Sequence, residues 1–143
     1  HPSEKEKDYL IKLLNSYKSN FWKIDYRHLI SISKSCDLGI TLNTSACLDI
    51  VSMKKPCIEF WLKNKVINRN LIYKVDGKIK TPFEIFGIVS NVNNYDQLLK
   101  KCKSLKNKKI RDKIVNEQYL NFLKLNNNKK LAKKNLKDIE KLI

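Results

Sequence analysis

Asn43, Thr44 and Ser45, with Asp49 four to six residues further on, are the residues whose types and spacing best suit chemistry. They stand inside the block C-D-L-G-I-T-L-N-T-S-A-C-L-D-I-V-S-M-K-K-P-C-I-E-F-W, residues 36–61. Small amide and hydroxyl side chains at a helix start hydrogen-bond its free N–H groups. They can equally hold a bound phosphate, which is drawn to the partial positive charge of that helix end. An acid one turn inside the same helix can reach the ribose hydroxyls of a nucleotide whose phosphates sit at the cap. The same residues also serve as plain helix caps and a solvated helix acid, so the triplet and Asp49 leave both uses open. A third candidate is His1. Proline after it favours an extended conformation, and a histidine at a strand end can act as a general acid or base or donate to phosphate.

The elements that would position these residues follow from the apolar spacing. Residues 3–16 read as a helix capped by Ser3, with Leu10, Leu13 and Leu14 on one face. Residues 21–25 read as a short strand, 27–35 as a short helix, and 37–42 as a strand apolar at Leu38, Ile40 and Leu42. Asn43 or Thr44 then caps a helix that runs to about Met53, and Lys54-Lys55-Pro56 ends it. Residues 57–61 form a strand with almost no polar alternation, as expected of a strand covered on both faces of a parallel sheet. Asp76-Gly77 reads as a hairpin turn or a plain loop. A further strand is expected over 88–92, then helices from Asn94 or Tyr95 to about 105, over 108–125 and over 129–142. The pattern predicts a doubly wound parallel α/β sheet with C-terminal helices.

Other chemistries find little support. The chain has only Gly39, Gly77 and Gly87, so it holds no P-loop and no dinucleotide fingerprint. Cys36, Cys47, Cys57 and Cys102 form no C-x-x-C pair, and neither His1 nor His28 has ligand spacing to a cysteine. The reading is therefore of reduced, buried thiols in a cytoplasmic protein, with no metal and no cofactor. No stretch of about 18 apolar residues occurs.

The formal charge of +16 raises a second possibility, an anionic partner. Residues 100–143 carry 15 basic and 4 acidic side chains, net +11, against +5 for residues 1–99. Only Arg27, Arg69 and Arg111 are arginine, whereas readers of nucleic acid favour arginine interleaved with aromatics. Lysine rising together with Asn and Ile is also the mark of AT-rich coding. The alternative reading is a basic module on an α/β scaffold, docking on an anionic membrane or on nucleic acid.

Taken together, H-P-S-E at the start and S-C-D-L-G-I-T-L-N-T-S-A-C-L-D-I-V-S-M-K-K-P-C-I resemble the C-terminal half of GT-B-fold glycosyltransferases for surface polysaccharides. The block is also similar to CDP-glycerol glycerophosphotransferases and to relatives of UDP-N-acetylglucosamine epimerase. Those families show a strand ending in His-Pro, then a segment like S-D-L-V-I-T-x-x-S-S-x-x-x-E-A-x-x-x-G-K-P-V-I. The likeness spans about residues 1–105, including G-I-V-S-N-V-N-N-Y-D-Q-L-L at 87–99. It implies a Rossmann-like donor-binding domain over 1–105 followed by basic helices over 106–143. By match, Thr44 and Ser45 contact the diphosphate of a nucleotide-sugar or CDP-polyol donor, Asp49 the ribose, and His1 the sheet edge nearby. Two departures stand out: the usual glutamate is the shorter Asp49, and the usual glycine before Lys-Pro is Lys54, which predicts a less tightly turned helix end. The resemblance further implies that the glycan acceptor is bound by an N-terminal half not contained in these residues. The chain alone is then expected to hold donor weakly and catalyse nothing. Its expected place is the cytoplasm, at the inner face of the membrane.

Overall fold

The computed structural model describes residues 27–61 and 72–127, together with the single positions 12, 16 and 25. Within these residues the order is α1 (Leu29–Ser35), β1 (Gly39–Thr41), α2 (Ala46–Ser52), β2 (Cys57–Phe60), β3 (Tyr73–Val75), β4 (Lys78–Lys80), α3 (Pro82–Ile85), β5 (Ser90–Val92), α4 (Tyr95–Ser104) and α5 (Lys108–Asn127). His1, the helix expected over 129–142 and all of the strand expected over 21–25 except Asp25 lie outside the described residues, and Asp25 is not in a strand. So does most of the helix expected over 3–16, although Lys12 and Ser16 are helical.

Three strands form a parallel sheet in the order β1-β2-β5, with Gly39 opposite Cys57, Thr41 opposite Glu59, and Glu59 opposite Asn91. The chain is thus a mixed α/β protein, a Rossmann-like parallel sheet flanked by helices and followed by C-terminal helices. Successive side chains of β2 feed opposite faces. Cys57 joins a core with Cys47, Ile50 and Val51 of α2 and Ile88 and Val89, closed by Phe83, Phe86, Phe122 and Leu125. Ile58 joins the other core with Val92 and Leu105, closed by Leu98, Cys102 and Ile114. The uninterrupted apolar run of β2 has this cause: Cys57 and Ile58 are both buried, one on each face. α5 supplies Ile114 to one core and Phe122 and Leu125 to the other, so it crosses from face to face.

Asp76 and Gly77 are the central residues of a hairpin joining the antiparallel strands β3 and β4. Both have positive φ, 51° and 72°, the conformation of a type I′ turn, and this settles the Asp-Gly pair as a hairpin. α3 was not anticipated. Its sequence T-P-F-E nevertheless carries a cap, a proline in the first turn and an acid at the third helical position.

The helix after β1 is shorter than expected, spanning Ala46–Ser52, and it stops where Lys54 takes φ 54°. Lys54 N–H donates to Val51 O (2.9 Å) and Lys55 N–H to Ile50 O (3.3 Å). These two bonds are the left-handed helix stop usually made by glycine. The looser end expected from losing that glycine is therefore corrected. The backbone keeps the tight turn, and the lysine ammonium lies 4.9 Å from the centre of the Tyr119 ring on α5.

Candidate functional site

In a parallel sheet the carboxyl ends of the strands are where ligands gather, because the loops there lead into helix N-termini. Two groups of polar residues meet that edge here: the turn after β1, and a row across the strands.

The turn holds the residues singled out by sequence. Asn43 is in the left-handed region, φ 45°, and is partly buried, while Thr44 and Ser45 are exposed. Neither Asn43 nor Thr44 is the N-cap of α2, which corrects that expectation. The left-handed bend at Asn43 delays the helix by two residues, and Ser45 takes the cap position. Its backbone is already helical, φ −61° and ψ −11°, so its hydroxyl makes no capping bond. Thr44 Oγ1 accepts a long hydrogen bond from Ala46 N–H, 3.4 Å. The exposed Ser45 hydroxyl is thus not committed to capping. Asp49 lies in the first turn of α2 and is partly buried, and Ser52 Oγ donates to its carbonyl oxygen at 2.7 Å. The structure therefore brings the turn and Asp49 to one helix end.

The row is formed by Thr41, Glu59 and Asn91, register partners on three neighbouring strands that share one face. That face is the one α2 covers, since Gly39 is in the same strand set and a side-chain carbon there would lie 2.5 Å from Ile50 Cδ1. Glu59 is completely buried. Its Oε2 accepts from Thr81 Oγ1 at 2.5 Å and from Asn91 Nδ2 at 3.2 Å. Thr81 Oγ1 in turn accepts from Glu84 N–H at 3.2 Å, so the buried carboxylate anchors the cap of α3. Burial pushes the Glu59 carboxyl above its usual range, the two hydrogen bonds pull it back, and the charge of Glu84 adds to the rise. Glu59 Oε1, Glu84 Oε2 and Asn93 Oδ1 are buried without a hydrogen-bond partner.

Sequence reasoning passed over Glu59, yet its signal was present: one charge inside C-I-E-F-W, the run that reads as a strand covered on both faces. A charge there is rare unless something holds it.

The remaining polar candidates have structural roles. His28 caps α1, its Nδ1 accepting from Ile30 N–H at 3.3 Å. All four cysteines are free thiols. Burial drives Cys47 up to about 12 and Cys57 up to about 11, so neither is a nucleophile near neutral pH. Among the described residues no group of three or more His, Cys, Asp and Glu gathers as a metal site. An apolar cleft of ≈ 150 Å³ opens between α1, β1 and α2, lined by residues such as Leu29, Ile32 and Ile50, but by none of Asn43, Thr44, Ser45 or Asp49.

Lysine concentrates elsewhere. Six lysines and no acid fall in residues 100–109, and Lys100, Lys103, Lys106, Lys108 and Lys109 are exposed. α4 leaves the carboxyl end of β5 and α5 begins at its far end, so this elbow belongs to the opposite, amino edge of the sheet. Among the described residues no helix is long and apolar enough to cross a membrane. Comparison of the chain with protein-family models, with curated proteins and with solved structures finds no match.

Proposed function

We propose that this chain is the donor-binding half of a transferase that moves a sugar, or a polyol phosphate, from a nucleotide diphosphate to a surface polysaccharide. The observation that carries the reading is the β1–α2–β2 unit, whose turn presents exposed Thr44 and Ser45 at the carboxyl edge of a parallel sheet. The diphosphate sits against Asn43, Thr44 and Ser45, and Asp49 receives the ribose hydroxyls. Donor groups at the turn stabilise charge on the departing diphosphate. The acceptor, and any catalytic base, are supplied by a partner half. The resemblance of residues 36–61 to GT-B donor domains supports this assignment of roles, and His1 keeps only the role that resemblance gives it.

Titration of the full chain with UDP and CDP, followed residue by residue in amide NMR spectra, tests the reading. Shifts centred on residues 43–49 that vanish in Ser45→Ala and weaken in Asp49→Ala are the expected result. Shifts that are absent, or confined to another part of the chain, sink it.

The lysine elbow favours a second surface. Five exposed lysines at the amino edge suit an anionic bilayer, each contributing on the order of 1 kcal/mol near such a surface. The donor edge then faces away from the membrane. Sedimentation with phosphatidylserine vesicles at rising salt measures it, and tighter binding to RNA or DNA would transfer the elbow to nucleic acid.

A further inference from the structure

Lys109 stands at the unfavourable end of its helix. It is the second residue of α5, where the helix carries partial positive charge, and the first turn holds no acid to meet that charge. Lys113 follows one turn later, so two like charges stand at i and i+4. Lys113 pairs with Glu117, but no ion pair takes up Lys109; among the described residues the other ion pair is Arg27–Asp25. A glutamate at position 109 would suit both the helix end and Lys113.

The surroundings repeat the pattern. No acid occurs between Asp96 and Asp112, whereas six lysines and Arg111 do. Lys100, Lys103, Lys106 and Lys108 are exposed together with Lys109. The elbow that carries them is fixed. Leu105 is 6 % exposed and is seated in the core with Ile58 and Val92. Lys106 N–H donates to Lys103 O (3.2 Å) and Asn107 N–H to Ser104 O (3.1 Å). Asn107 then caps α5, its Oδ1 accepting from Ile110 N–H at 3.2 Å and its carbonyl from Arg111 N–H at 2.9 Å. A fixed turn that gathers cations against its own helix end suits an anionic partner, since places that break a local rule are where function is expected.

We propose that this elbow, centred on Lys109, docks on an anionic bilayer, and that docking relieves the electrostatic repulsion at the start of α5. This rests on the second surface described above and adds to it a central residue and a coupling to helix stability. Lipid headgroups fit the composition better than nucleic acid does. Residues 97–111 contain no aromatic to stack on a base, and their one arginine is half-buried. Ile110, 42 % exposed amid the lysines, suits the apolar margin beneath the headgroups. Lysine clusters of this size favour surfaces rich in phosphatidylserine.

Vesicle sedimentation and thermal melting of the full chain, as wild type, Lys109→Glu and Lys74→Glu, test the proposal. Lys74 is an exposed residue of β3 outside the elbow, and its replacement changes the net charge equally. Lys109→Glu should weaken binding to phosphatidylserine vesicles about 10-fold or more, while Lys74→Glu stays within about 2-fold of wild type. Without vesicles, Lys109→Glu should melt about 2–4 °C higher, because the new carboxylate meets both the helix end and Lys113. Lost binding with a raised melting point does not come from misfolding. Equal binding by wild type and Lys109→Glu overturns the proposal, as does an equal loss in Lys74→Glu or tighter binding of the wild type to RNA. An unchanged or lower melting point of Lys109→Glu overturns the coupling. A wild-type chain that fails to sediment with these vesicles overturns the second surface itself, whereas the donor-binding reading is judged by its own titration with UDP and CDP.

Discussion

Gln118 satisfies both backbone groups of Cys57 with a single amide: Cys57 N–H donates to Gln118 Oε1 at 2.9 Å, and Gln118 Nε2 donates to Cys57 O at 2.8 Å. Cys57 opens β2, while the pairing with β5 begins only at Ile58 opposite Ser90. The side chain thus supplies, for one residue, the hydrogen bonds a neighbouring strand would have made. Gln118 is itself buried, 3 % exposed.

Gln118→Leu should therefore cost about 2–6 kcal/mol, because it strands one buried donor and one buried acceptor at about 1–3 kcal/mol each. Chemical denaturation gives the total. Amide exchange at Cys57 should accelerate more than exchange at Ile58, and uniform loosening of β2 would argue against this account.

Glu59 gives a pH dependence of definite sign. Its carboxyl is raised in the folded chain, so the native state holds a proton that the unfolded state has lost. Stability should then fall as pH rises from the ordinary carboxylate range through the raised native value. Glu59→Gln should flatten that part of the profile while still accepting from Thr81 and Asn91. Thermal melts in chelator from pH 4 to 8 compare the two, and parallel profiles would show that Glu59 does not set the slope.

Lys54 sets two effects against each other. A left-handed lysine costs on the order of 1 kcal/mol, while its stacking over Tyr119 returns about 0.5–1 kcal/mol at an exposed site. Lys54→Gly should be neutral or slightly stabilising. Lys54→Ala keeps the strain and loses the stacking, so it should be the less stable of the pair by about 1 kcal/mol. Equal stability of the two variants contradicts the helix stop described for this position.

Gly39 is the point of closest approach between β1 and α2. An added methyl group would lie 2.5 Å from Ile50 Cδ1 and 2.8 Å from its Cγ2. Gly39→Ala should cost about 1–3 kcal/mol through overpacking. Ile50→Val in the same chain should return part of that loss, which a double-mutant cycle reads directly.

Much of the fold was legible because it rests on short-range signals. The apolar run of β2 falls where the spacing placed it, and of the alternatives the sequence left open the structure takes the Asn94 cap and the Asp-Gly hairpin, each written within a few residues. The end of α2 was misjudged because hydrogen bonds to Ile50 and Val51, with stacking on Tyr119, hold a lysine where propensity calls for glycine. The start of α2 was misjudged because a left-handed Asn43 is a conformation, not a composition. The site divides in the same way. Asn43, Thr44, Ser45 and Asp49 form a local cluster visible as a string. Glu59, Thr81, Glu84 and Asn91 are spread between positions 59 and 91 and are assembled only by the register of β2 with β5 and the cap of α3.

The course of α5 has a consequence for the order of events in folding. The central strand is complete only when Gln118, 61 residues later, has reached it, and both cores wait for side chains of the same helix. A nascent chain emerging from the ribosome can form β1, α2 and β2 early, but it cannot make that nucleus durable until α5 has been synthesised. Such long sequence separation slows folding and joins the two faces of the sheet into one cooperative unit. A break anywhere before residue 118 should leave the chain a substrate for chaperones rather than a smaller folded protein.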